Sequence, residues 1–198
     1  MEIAVEIKGV VPILMSKFGD DSALQVEGGT SRVMVGEKQT PRQQAEARLY
    51  TSSDGTPIIP GPNIFAAIIA AGIFHKVGKS KVTTAKSSLV PAGVMVREIE
   101  CPIFNPDGGQ PKWEVDSRAI VVDMTKRKMA HRPRFDRWGV RFTLEVDDEM
   151  FSEGIVRALV DDAGKKIGLG AFRPARKGPF GRFTVTNWKV SKSIKSAA

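Results

Sequence analysis

One stretch limits the possible folds of this chain more than any other. Residues 168–190 read Gly-Leu-Gly-Ala-Phe-Arg-Pro-Ala-Arg-Lys-Gly-Pro-Phe-Gly-Arg-Phe-Thr-Val-Thr-Asn-Trp-Lys-Val. Gly168 stands where the preceding amphipathic run should end as a helix. From Arg182 to Val190 the pattern is that of a strand. Between them, Gly168, Gly170, Gly178 and Gly181 let backbone come close to another backbone or to a ligand, and they permit positive φ. Arg173, Arg176, Lys177 and Arg182 make that approach attractive to a phosphate. Two readings stay open: a tight helix-to-strand connection with solvated charges, or an anion-binding loop.

The rest of the chain supplies elements for this loop to join. Ile3, Val5 and Ile7 alternate with Glu2, Ala4, Glu6 and Lys8, so residues 2–15 read as a strand that breaks or bulges near Pro12. Residues 16–40 hold Gly19, Asp20, Asp21, Gly28, Gly29 and Gly36 with little periodicity, which reads as a long mobile loop. Pro41 to Tyr50 is a short helix with Thr40 as its cap. Ile64 to Phe74 is apolar nearly all round and should be a buried helix. Residues 76–88 form a basic loop. Residues 89–101 and 113–124 read as strands joined through the turn Asn105 to Gly109. Val140, Phe142, Leu144 and Val146 mark a strand over 139–147 with one buried face. Ile155, Val156, Leu159, Val160 and Ala163 line one side of a helix over 152–167, capped by Ser152.

The order is strand, helix, strands, strand, helix, strand. That predicts an α+β fold, a ferredoxin-like (RRM-like) split βαβ domain with an inserted loop and β-hairpin. A single domain would span 1–190. Residues 16–57 would be an inserted mobile loop and short helix, 76–124 an inserted loop and β-hairpin, and 191–198 a disordered tail.

Charge narrows the partner. The 198 residues carry a net charge of +8 and a pI near 9.7, which points to an acidic partner, usually nucleic acid. No apolar run approaches the roughly 18 residues of a membrane span. Met1 to Glu6 has no signal-peptide character. Cys101 is the only cysteine, so no internal disulfide can form and a reducing cytoplasm is the expected location. The strongest electrostatic signal is Lys126, Arg127, Lys128, His131, Arg132, Arg134 and Arg137, interleaved with Phe135 and Trp138. Arginine forks suit phosphate, and Phe135, Trp138 or Phe180 would stack on a base. The other reading of the cluster is a strand edge kept basic against aggregation. If ~4 phosphates of a single strand are neutralised, log affinity should fall with log salt at a slope of about −2.8. No zinc pattern, Walker loop or dinucleotide fingerprint is present, so no metal and no cofactor are expected.

Three features then add up. A first strand leads into a long irregular loop, Ile59-Pro60-Gly61 opens an apolar helix, and a glycine-rich loop precedes the last strand. This pattern resembles the RAMP superfamily of CRISPR RNA-binding proteins, and within it the Cas7-type backbone subunits. In that family Ile-Pro-Gly is usually followed by Ser-Ser-Leu-Lys-Gly. Here Pro62-Asn63-Ile64-Phe65-Ala66 follows, and the lysine is missing. Phe172-Arg173-Pro174 with Gly178-Pro179-Phe180-Gly181-Arg182-Phe183 is also similar to uncharacterised phage and integrated-element proteins. The resemblance implies an RRM-like fold, a non-enzymatic role and copies side by side along a guide RNA within a ribonucleoprotein. The partners would be single-stranded RNA, other subunits of the complex and further copies of this chain, with no membrane. A phage-type protein that binds single-stranded DNA or acts in recombination is the alternative. A second alternative is a metal-independent endoribonuclease with His131 as general base, supported by Arg132 and Arg134. Asp20 and Asp21 match the loop in which some target-cutting Cas7-type subunits carry an aspartate.

Overall fold

The computed structural model describes residues 1–17, 39–123 and 126–191, with backbone alone for 121–123 and 126. The expectations for Asp20 and Asp21, and those for the tail beyond Ser191, fall outside these residues. In chain order the elements are β1 (Glu2–Gly9), β2 (Ile13–Leu14), α1 (Pro41–Glu46), β3 (Ile58–Pro60), α2 (Gly61–Ala71), β4 (Lys76–Val77) and β5 (Ser80–Lys81). There follow α3 (Val90–Gly93), β6 (Val94–Val96), β7 (Glu100–Pro102), β8 (Glu114–Asp123), β9 (Lys126–Phe135), β10 (Gly139–Val146), α4 (Glu153–Asp162) and β11 (Phe183–Ser191).

The fold is α+β and is organised on a four-stranded antiparallel sheet in the order β11-β1-β10-β6. Register places Ile3 opposite Leu144, Val5 opposite Phe142 and Ile7 opposite Val140. All six side chains are buried, each stabilising the fold by roughly 1.5–3 kcal/mol through lost apolar exposure. Against them pack Ile64 and Ile68 of α2 and Val156, Leu159 and Val160 of α4, in one core. The break after β1 falls at Pro12, as the sequence reading has it.

Both ends of the helices follow local chemistry. Thr40 and Gln43 cap α1 reciprocally, with Pro41 at the first helical position. At α4, Ser152 holds the N-cap position without a side-chain hydrogen bond. A single π turn, Ala163–Ile167, follows α4 and ends at Gly168 with φ 72°. Gly164 lets this turn approach the last strand: an added Cβ would sit 2.3 Å from the Phe183 carbonyl oxygen.

The inserted hairpin is not the one the sequence suggests. Asn105 does turn the chain, with the Gly108 N–H donating to its carbonyl at 3.0 Å. Yet β6 pairs with β10, β7 pairs with β3, and β8 pairs with β9. The hairpin therefore runs from Glu114 to Phe135 and belongs to a second sheet, β2-β9-β8. Its second strand carries cations at so many positions that the period of two is hidden. Among the described residues no helix is long and apolar enough to cross a membrane.

Candidate nucleic-acid interface

The glycine loop is tied down by backbone hydrogen bonds to itself and to the segment after β1. Leu169 N–H donates to Gly181 at 2.9 Å, Ala171 to Leu14 at 2.8 Å, Gly181 to Pro12 at 2.8 Å and Phe180 to Phe172 at 3.1 Å. Two of its glycines are required by this packing. Gly170 has φ 75°, and an added Cβ would lie 2.4 Å from the Leu14 carbonyl oxygen; Gly181 has φ 71°, and its Cβ would lie 1.8 Å from that of Leu169. The close approach that these glycines permit is thus to backbone. The loop also holds Phe172 (φ 50°) and Lys177 (φ 59°), the non-glycine residues at positive φ among those described. Each carries strain of about 1–2 kcal/mol, and backbone strain of this kind clusters at binding sites. The turn Pro174–Arg176 and its left-handed cap Lys177 leave Arg176 and Lys177 exposed on a fixed frame.

Beside the loop is a cleft of about 300 Å³. Ile13, Met15 and Ser16 line it from the exit of the first strand, Ile59 and Pro60 from β3 and Asn63 from the start of α2. Gly168 to Ala171 and Arg173 line it from the glycine loop. The exit of the first strand, the β3–α2 junction and the glycine loop, far apart in sequence, therefore meet in space. Arg173 is half-buried and donates to the Gly170 carbonyl at 2.9 Å. Burial first, then the neighbouring Arg176, pushes its pKa below the ordinary arginine value.

The cluster from Lys126 to Trp138 is split by the strand pleat, which sends successive side chains to opposite faces. Arg127 and Lys128 are exposed near the hairpin tip, and Lys126 stands there by its backbone. Arg134 is half-buried and paired with Glu114 at 3.0 Å and Asp136 at 2.8 Å. Arg137 is exposed and held by both oxygens of Asp107 at 2.6 Å. Arg132 points inward, with 9% of its surface exposed, so a strand lying on the surface does not reach it.

Besides Arg132, three expectations need correction. Phe135 and Trp138 are both 0% exposed and cannot stack on a base. Phe135 pairs in register with Ile13, while Trp138 donates to the Val11 carbonyl at 2.9 Å and meets Phe183 edge to face. Their position among charges suggested the surface, but both side chains join the core. His131 hydrogen-bonds Ser117 at 2.7 Å. The pleat turns it away from Arg132 and Arg134, so neither supports it as a general base.

Phe180 is half-buried, with the Arg118 guanidinium 4.6 Å from its ring centre. Arg132 lies 5.3 Å from the ring of Phe172. These two contacts dock the hairpin on the glycine loop and bring the two basic segments together. Arg182 is exposed at the start of the last strand, beside Gly181. The contacts of Arg118 and Phe172 were missed by sequence reasoning; the alternation of β8 could have found Arg118, and Phe172 stands inside the glycine-rich stretch itself. Cys101 is buried, and burial, then Glu98, pushes its thiol up to about 12, which excludes a thiolate role at neutral pH. Among the described residues no group of three or more His, Cys, Asp or Glu side chains could hold a metal.

Fold and surface together define an α+β protein with exposed cations mounted on a strained, backbone-tied loop beside a cleft. No protein-family model matches the chain, and no curated protein matches it in sequence. Among solved structures it is similar to a chain of the type III-B Cmr-beta bound to cognate target RNA, with 13% identity and a TM-score of 0.49 over 95% of this chain and 59% of that one. It is also similar to Cmr6 from Pyrococcus furiosus, with 13% identity and a TM-score of 0.40 over 93% of this chain and 98% of that one. This chain thus spans 59% of the length of the first of these.

Proposed function

We propose that the protein binds single-stranded nucleic acid, as a Cas7-like subunit that lines up in copies along a guide RNA in a CRISPR effector complex. In this reading the four-stranded sheet with α2 and α4 is a ferredoxin-like, RRM-like split βαβ domain, and its strand order is the support for that. The strand crosses the glycine loop at Arg176, Lys177 and Arg182 and passes to Lys128 on the docked hairpin, with Phe180 offering a ring to a base. Arg173 marks where it meets the cleft. One observation carries the reading: three segments distant in sequence converge on one cleft, and the loop cations beside it have no ion-pair partner among the described residues.

The test is fluorescence anisotropy with labelled single-stranded RNA, single-stranded DNA and duplex across a salt series. Single strands should bind more tightly than duplex, with a slope of log affinity against log salt of about −2 to −3. A flat salt response, or preference for duplex, contradicts the proposal. Preference for DNA over RNA would favour the phage-type alternative.

A further inference from the structure

We infer that Arg132 is the centre of a buried seat for one phosphate group, separate from the exposed track and independent of it. Its guanidinium sits between three elements: β8, the segment after α1 and the glycine loop. Nε and one terminal nitrogen, both buried, have no hydrogen-bond partner among the described residues. Buried polar atoms are almost always bonded, and an uncompensated buried charge is among the most destabilising features a fold can hold.

The carboxylate that should answer it is already engaged. Asp116 faces Arg132 in register, but its two oxygens accept from Arg118 at 2.6 and 2.9 Å. A third guanidinium, Arg134, lies 3.9 Å from the same group. Arg48 adds another positive charge near Arg132 instead of relieving it: burial and Arg48 both press against the charged form, while Asp116, and more weakly the ring of Phe172 at 5.3 Å, favour it. A water molecule would satisfy the donors without touching the charge. A phosphate does both, since its oxygens match the planar fork of arginine. With nine-tenths of its surface covered, Arg132 is out of reach of a run of polynucleotide backbone.

The experiment is thermal unfolding of the full chain in inorganic phosphate and in chloride at matched ionic strength. At about ten times the dissociation constant, phosphate should raise Tm by roughly 3–6 °C over chloride. R132M keeps the length and removes the charge. It should melt no lower than the parent in chloride, since it also removes the unpaired ion, and it should lose the phosphate increment. Should R132M fail to fold, R48Q serves, with the increment cut at least twofold.

No increment in the parent protein, or equal increments in the parent and R132M, overturns the seat. R176E/K177E distinguishes this inference from the strand-binding proposal. It should weaken strand binding while keeping the phosphate increment; loss of the increment in that variant places the anion on the exposed loop and overturns the buried seat. Paired oligonucleotides with a 5′-phosphate or a 5′-hydroxyl identify the source. Given the inorganic-phosphate increment, an Arg132-dependent increment larger with the 5′-phosphorylated strand than with the 5′-hydroxyl strand assigns the seat to a strand end, and one given by inorganic phosphate but by neither strand assigns it to a free phosphate.

Discussion

The outward face of the main sheet and the face of the glycine loop carry similar numbers of cations, and they differ in what stands beside them. On the sheet, Arg97 contacts Glu2 and lies 2.7 Å from Glu145, Arg141 lies 2.8 Å from Glu6, and Lys8 lies 3.7 Å from Glu6. Each of these three charges is answered by one of opposite sign, and Lys189, opposite Ala4 on the same face, is the cation left without an ion-pair partner there among the described residues. On the loop, Arg173, Arg176, Lys177 and Arg182 have no such partner among the described residues. A net charge of +8 is therefore a poor guide to where an anion binds. The informative quantity is where the acids are missing. The sheet face neutralises three of its four cations with surface pairs, each contributing about 0.2–1 kcal/mol. The loop face leaves its field directed outward, for a partner to answer.

Reversing the loop charges should break this contrast most severely. R176E/K177E/R182E is expected to weaken single-strand binding about 100-fold and to make the salt slope shallower by about 2, both read by anisotropy. The loop's frame comes next. G170A forces a Cβ onto the Leu14 carbonyl at positive φ and should cost about 2–3 kcal/mol, lowering Tm by roughly 5–10 °C. In contrast G154A, at a helical glycine with nothing within 4 Å of an added Cβ, should stabilise by about 0.4–1 kcal/mol.

A smaller effect sits at the end of α4, just before the loop. Burial alone would raise the Asp162 pKa, but Lys166 at 2.7 Å and His75 at 2.9 Å outweigh it and hold the carboxyl below its ordinary value. A depressed carboxylate contributes stability above its unfolded pKa of about 4 and loses it as pH falls through the folded value. D162N should thus destabilise by about 1 kcal/mol at neutral pH, and the difference from the parent should vanish below that window in denaturant titrations. Smallest of all, R97Q/R141Q on the sheet face should leave strand affinity within about 3-fold and stability within about 1 kcal/mol.

What could be read from the sequence was whatever repeats locally. Val140, Phe142, Leu144 and Val146 alternate, and they are the buried face of β10. Thr40-Pro41 starts a helix and Gly168 ends one, because caps depend on a few adjacent residues. In the strand expected from Arg182 to Val190, Phe183 is buried and Val185 packs against the core. The pairing of β8 with β9 was hidden because Lys128, Arg132 and Arg134 occupy positions where apolar residues would have shown the period. Phe135 and Trp138 were misplaced for a related reason: a side chain among cations in the sequence is not among them in space once the pleat and β2 intervene. Contacts such as Arg118 on Phe180 depend on a hairpin docking on a loop some 60 residues away, which no local pattern encodes.

Arginine footprinting tests the central contrast most directly. The protein, free and saturated with a single strand, is treated with phenylglyoxal, and modified peptides are quantified by mass spectrometry. Arg176 and Arg182 should become protected by the strand, while Arg97, Arg137 and Arg141 keep their reactivity. Protection of Arg97 and Arg141 with Arg176 and Arg182 unchanged would place the strand on the sheet and contradict the account.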